Sequence, residues 1–109
     1  MEKRKNAKLL RVYVSETDKI DRKPLYEEIA LKAKELKLAG ATVFRGIMGF
    51  GRHSEIHSAK ILSISEKLPM VIEIIDVEEN INKLLDFLAE NLKEGLAVID
   101  DIKIIEYKR

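Results

Sequence analysis

A chain of 109 residues with 20 Lys and Arg against 19 Asp and Glu is long enough for one core, and its near-neutral balance excludes the strong overall field of a dedicated nucleic-acid or membrane-surface binder. The absence of cysteine removes disulfides, thiolate nucleophiles and zinc-thiolate sites, and no apolar run is long enough to export or span. The expectation is a single cytoplasmic domain over residues 1–109 without membrane insertion. A charged content of 36%, rich in Lys and Glu with only two prolines, is the mixture of ion-pair-rich thermophilic proteins.

In chain order, Leu9 to Val14 alternates, with Leu10, Val12 and Val14 on one side and Leu9, Arg11 and Tyr13 on the other, as a first strand requires. Ser15 to Lys23 is polar. Pro24 suits a first helical position, Glu27 and Glu28 suit the positive end of the helix dipole, and Gly40 suits the exit. The spacing therefore predicts a helix over Pro24 to Leu38. Thr42 to Met48 is β-branched and aromatic enough for a second strand, ending at Gly49 and Gly51.

Ala59 to Ser65 alternates loosely and fits a hairpin arm pairing back on the second strand. Pro69 then introduces Met70 to Ile75, a nearly continuous apolar run with Glu73 as its one charge, which fits a central strand covered on both faces. Asp76 with Glu79 three residues on resembles a capping box. Ile81, Leu84, Leu85, Leu88 and Leu92 fall at helical spacing and predict a second helix closing near Gly95. Ala97 to Tyr107 supplies the last strand, with Asp100 and Asp101 read as a bend or bulge.

The resulting order is that of an α+β, ferredoxin-like β-α-β-β-α-β sandwich with an extra hairpin arm. Both helices then lie on one face of the sheet. Tyr13, Val43, Ile72 and Ile105 are assigned to the other, open face, whose apolar character calls for self-association; twofold and threefold closure satisfy this equally.

The unusual chemistry is concentrated between Gly40 and His57, a stretch with four of the five glycines and both histidines. Gly46, Gly49 and Gly51 permit close approach of backbone amides to a ligand, Arg45 and Arg52 can pair bidentately with phosphate or carboxylate, and Phe50 can stack on a base. The same residues also suit a plain architecture, in which the glycines make a bulge and a tight turn, Arg45 forms an ion pair between subunits and Phe50 caps the core. His53 and His57, four residues apart with Glu55 between them, could share a helical face and hold zinc. Two ligands without a third seldom bind a metal tightly, and His57 better fits a fixed hydrogen bond that orders the loop.

Ser54 and His57 lie close in sequence, but no spacing secures a catalytic triad, so no catalytic residue is assigned. Glu73 suits a basic partner such as Arg45 or Arg11, and Glu16 suits the loop leading to the first helix. Tyr26 either points its hydroxyl towards a cleft or packs. With few aromatics and no net charge of consequence, nucleic acid is not an expected partner.

The stretch Gly40-Ala-Thr-Val-Phe-Arg-Gly-Ile-Met-Gly-Phe-Gly51, followed by Ile56-His57, resembles the signature of a small family of uncharacterised PII-like proteins. The resemblance extends through Leu10-Arg-Val-Tyr-Val-Ser-Glu16, Pro24-Leu-Tyr26, Leu68-Pro-Met-Val-Ile-Glu-Ile-Ile-Asp76 and Glu94-Gly-Leu96, and so over essentially the whole chain. It implies a ferredoxin-like protomer assembled as a homotrimer, similar to PII signal-transduction proteins and CutA-like trimers. By that analogy the chain is a non-enzymatic regulatory protein that takes a small anionic metabolite, an adenine nucleotide first among them, in clefts between protomers. The loop after the second strand would be the recognition loop, Lys93 to Ala97 with Gly95 the second wall, and Lys108 and Arg109 a third; a transporter or an enzyme would be the target. The loop is shorter than in PII proteins and has no tyrosine, so covalent uridylylation is not carried over. The CutA-like analogy supplies the alternative, a metal-binding or metal-tolerance trimer with His53 and His57 as ligands.

Overall fold

The structure is a computed structural model that describes residues 1–50, the backbone pairing of His57 and Ser58, and residues 68–108. Its first strand, β1, runs over Glu2–Ser15. A two-residue hairpin follows, β2 (Lys19–Ile20) against β3 (Lys23–Pro24), turned by Asp21 and Arg22 at φ of 48° and 71°. Helix α1 spans Leu25–Glu35, and strand β4 spans Gly40–Arg45. Short strands β5 (Met48–Gly49) and β6 (His57–Ser58) pair with each other. Strand β7 (Pro69–Asp76), helix α2 (Glu78–Asn91) and strand β8 (Leu96–Tyr107) complete the chain.

Four strands form one sheet in the order β4-β7-β1-β8, with every neighbouring pair antiparallel. Numbering only these four in sequence gives the order 4-1-3-2 read from β8, the ferredoxin-like arrangement expected. The alternation in β1 and β7 is what places the core. Leu10, Val12 and Val14 stand opposite Ile74, Ile72 and Met70, and all six are buried under Leu25, Ile29 and Ala33 of α1 and Ile81, Leu84 and Leu88 of α2. Each of these leucine, isoleucine, valine and methionine side chains contributes roughly 1.5–3 kcal/mol by leaving water.

Several expectations are corrected by the packing. Helix α1 ends earlier than Gly40 suggests: Lys37 takes a left-handed φ of 61° while Leu38 N–H donates to Ala33 O and Lys37 N–H to Lys34 O, each at 3.0 Å. That is a Schellman closure with lysine where glycine is usual, and the packing of Leu38 against the core accompanies it. Gly40 instead begins β4. Asp76 does not form a capping box with Glu79. Buried to 5% exposure, it accepts from Val77 N–H at 2.6 Å, Asn80 Nδ2 at 3.1 Å and Ala39 N–H at 2.9 Å, tying the start of α2 to the approach to β4.

Asp100 and Asp101 make neither bend nor bulge. Strand β8 keeps unbroken register with β1 through both, because Arg11 pairs with Asp100 at 3.2 Å and Lys8 hydrogen-bonds Asp101. Strand β1 also starts seven residues before the predicted Leu9. Glu2 to Ala7 lack an apolar pattern and are held by pairing with Ile102 to Tyr107, closed by reciprocal bonds between the Met1 and Lys108 backbones, both at 2.9 Å. The predicted arm at Ala59 to Ser65 lies outside the described residues.

The open face differs in membership from the one expected. Ile72 is fully buried and Val43 packs against the core, both on the helix side. Ile105 stands opposite Arg4, on the same side as Leu10 but along the ribbon beyond β7. Only Tyr13 keeps its assignment. The register places Phe44, Val71, Ile75, Leu96 and Val98 on the open face with it. Strand β7 is therefore not covered on both faces by its own chain; its residues alternate strictly between buried and half-buried.

Candidate functional site

At one end of the sheet the register aligns Arg45 of β4 with Met70 of β7, Met70 with Val14 of β1, and Tyr13 beside it with Leu96 of β8. Arg45 and Gly95 thus stand at the same end but on opposite edges, three strand spacings or about 14 Å apart. A ligand of nucleotide size touching one would meet the other only across the width of the sheet. The predicted first and second walls of a cleft are not brought together within one chain.

The Arg45 side is built tightly. Gly46 N–H donates to Pro69 O at 2.7 Å, and a Cβ on Gly46 would lie 2.7 Å from Pro69 Cγ, while one on Gly49 would lie 2.9 Å from the same atom. The close approach these glycines permit is to Pro69, which accounts for their missing side chains within the fold. Gly95, at φ of 151°, is equally constrained, since a Cβ there would meet Leu92 Cδ2 at 3.0 Å and Tyr13 O at 3.2 Å.

Arg45 itself is held by Glu16. Arg45 Nε lies 3.0 Å from Glu16 Oε2 and donates through Nη2 to Oε1 at 3.0 Å, a side-on fork. This hydrogen bond, first among its causes, holds the guanidinium above its ordinary pKa, with the neighbouring Tyr26 adding a smaller push in the same direction. Glu16 is placed by its backbone: its N–H donates to Leu68 O at 2.8 Å, and the turn after β1 is fixed by Ser15 N–H donating to Asp18 Oδ2 at 2.9 Å. The pair lies within the chain and bridges β1 and β4 past the start of β7. It was hidden from sequence reasoning because β1 and β4 are not neighbours; the only signal was one acid and one base at strand ends.

Of the other candidates, Phe50 is 69% exposed and caps no core. Tyr26 packs partly against the core. His57 pairs through its backbone with Gly49, while Gly51, Arg52 and His53 lie outside the described residues, as does Arg109. Among the described residues no group of three or more His, Asp and Glu is placed to hold a metal. Glu73 takes Arg11, not Arg45, with Nε to Oε2 at 3.1 Å, and Arg11 also reaches Asp100, leaving a three-charge cluster in the middle of the apolar open face. A separate groove of about 390 Å³ is lined by Asn6, Ala7, Lys8, Glu78, Asp101 and Ile102 at the ribbon end of the sheet. No helix among the described residues is long and apolar enough to cross a membrane.

Residues 7–104 match the profile of the family DUF190, described as Uncharacterized ACR. A UPF0166 protein of Aquifex aeolicus is 41% identical over 98 residues, covering 90% of this chain and 92% of that protein. A UPF0166 protein of Methanocaldococcus jannaschii is 38% identical over 99 residues, with coverages of 90% and 91%. Among solved structures, CPII of Thiomonas intermedia K12, a nitrogen regulatory PII-like protein bound to ADP, AMP and bicarbonate, superposes with a TM-score of 0.67 at 18% identity, covering 94% of this chain and 91% of that one.

Proposed function

From the premise that the chain belongs to the DUF190 family, we propose that it is a non-enzymatic, PII-like regulatory protein that binds a small anionic effector, an adenine nucleotide, in clefts between the protomers of a homotrimer. The observation that carries this reading is the separation of Arg45 and Gly95 on opposite edges at one end of the sheet. In a closed ring the β4 edge of one protomer comes beside the β8 edge of the next, so two incomplete walls become one cleft. The apolar open face supplies the reason to associate. The fold shared with CPII, which is bound to ADP, AMP and bicarbonate, supports an adenine nucleotide as the effector to test first.

In this reading Arg45 and Arg52 pair with phosphate, Phe50 stacks on the base, and Gly46, Gly49, Gly51 and His57 set the path of the loop. Gly95 admits the ligand close to the backbone of the second wall. Effector binding shifts the segment after Arg45 between states that a transporter or enzyme distinguishes, which requires unequal affinity for those states.

Calorimetric titration of the protein with ATP, ADP, AMP and cyclic AMP tests this directly. The expected result is micromolar binding of at least one nucleotide, weakened about tenfold or more in Arg45→Ala, as loss of a charge-assisted fork implies. Absence of heat from every nucleotide, or binding unchanged in Arg45→Ala, overturns it.

A further inference from the structure

Glu16 is the residue at this site that the proposed function leaves without a role. Its carboxylate has the planar, two-oxygen geometry of the anions that a guanidinium recognises, and it already fills the side-on fork of Arg45 with two contacts of 3.0 Å. The two partners are unequally placed. Glu16 has 23% of its side chain exposed and a backbone anchored on Leu68 O, whereas the Arg45 side chain is 57% exposed on an edge strand. The acid is thus the fixed member, and the base is the one with room to turn outward.

Resting on the reading of Arg45 as an anion-binding residue, we infer that Glu16 is a built-in competitor that sets which anions the site accepts. While the pair stands, Arg45 offers an incoming group a neutralised charge and only its outer Nη edge. An anion must either accept that edge against the repulsion of Glu16 or take the guanidinium away from it. A monovalent carboxylate gains nothing by exchanging one carboxylate for another. A phosphoryl group, with up to two charges and three acceptor oxygens, makes a stronger fork than the one it replaces. Glu16 therefore selects phosphorylated effectors over carboxylate metabolites, and the cost of selection is small because exposed ion pairs are weak.

The distinguishing experiment is titration of wild type, Glu16→Gln, Glu16→Ala and Arg45→Ala with ADP and, separately, with acetate, a monovalent carboxylate. Far-ultraviolet circular dichroism of each variant checks that the fold is retained. Both Glu16 substitutions are expected to tighten ADP binding about three- to fivefold, the scale of one exposed pair, and to make acetate binding measurable where wild type shows none. If wild type binds ADP and Arg45→Ala loses it, while both Glu16 variants leave ADP affinity unchanged or weaken it, competition is overturned and the parent reading stands. ADP binding that ignores Arg45→Ala, or absence of binding in wild type and both Glu16 variants alike, overturns the two together.

Discussion

The two faces of the sheet are built from the same alternation yet are finished differently. On the helix side, Leu10, Val12, Ile72 and Ile74 are sealed at 0% exposure. One residue along each strand, the other face carries Tyr13, Phe44, Leu96 and Val98 at 37–61% exposure around the Arg11, Glu73 and Asp100 cluster. The first face is completed by the chain's own helices. The second has contiguous exposed apolar residues, with charges that already neutralise one another in part, a composition that supports the proposed self-association. The difference teaches that period-2 patterning determines which residues share a face but not what covers it.

The strongest way to break this comparison is on the sealed face. Ile72→Ala is expected to cost about 2–5 kcal/mol through lost transfer energy and a cavity that the two helices cannot fully close. Chemical denaturation would read this as a lower midpoint at unchanged slope. On the open face, Val98→Lys places a second cation opposite Arg11. It is expected to change the stability of the protomer by less than about 1 kcal/mol while removing the assembly, read as a fall in mass by light scattering. Retention of the assembled mass would reject the open face as the interface.

The smallest effect is expected at the rim where β1 meets β8. Lys8 is held above its ordinary pKa of 10.5, first by its hydrogen bond to Asp101 and further by attraction to Asp101 and Glu78. A raised pKa in the folded state means that the contribution is fully present below the unfolded value and is lost as pH rises through the folded one. Asp101→Asn is therefore expected to lower the melting temperature by about 2 °C or less at neutral pH, with the difference from wild type disappearing above pH 10.5 and shrinking in salt.

How much of this was legible in the sequence differs between fold and site. The helix stripe of Ile81, Leu84 and Leu88 and the alternation of Leu10, Val12 and Val14 were readable because burial imposes a period, and the element order followed from them. The charged pair Asp100 and Asp101 misled because a local rule reads two acids as a break. Their partners, Arg11 and Lys8, are about ninety residues away and become visible only in register. Glycines at Gly46 and Gly49 were legible as close approaches, but the surface approached, Pro69, was not.

By itself the sequence determined the main strands and helices, their order and the buried stripes of β1 and α2, since these depend on spacing along the chain and on the cost of exposing apolar groups. Only the tertiary structure decided the pairing of Glu16 with Arg45, the true membership of the open face and the separation of Arg45 from Gly95 on opposite edges. Those features depend on strand order and register, which bring together residues that share no local pattern, and a charge names its partner only when the fold has placed both.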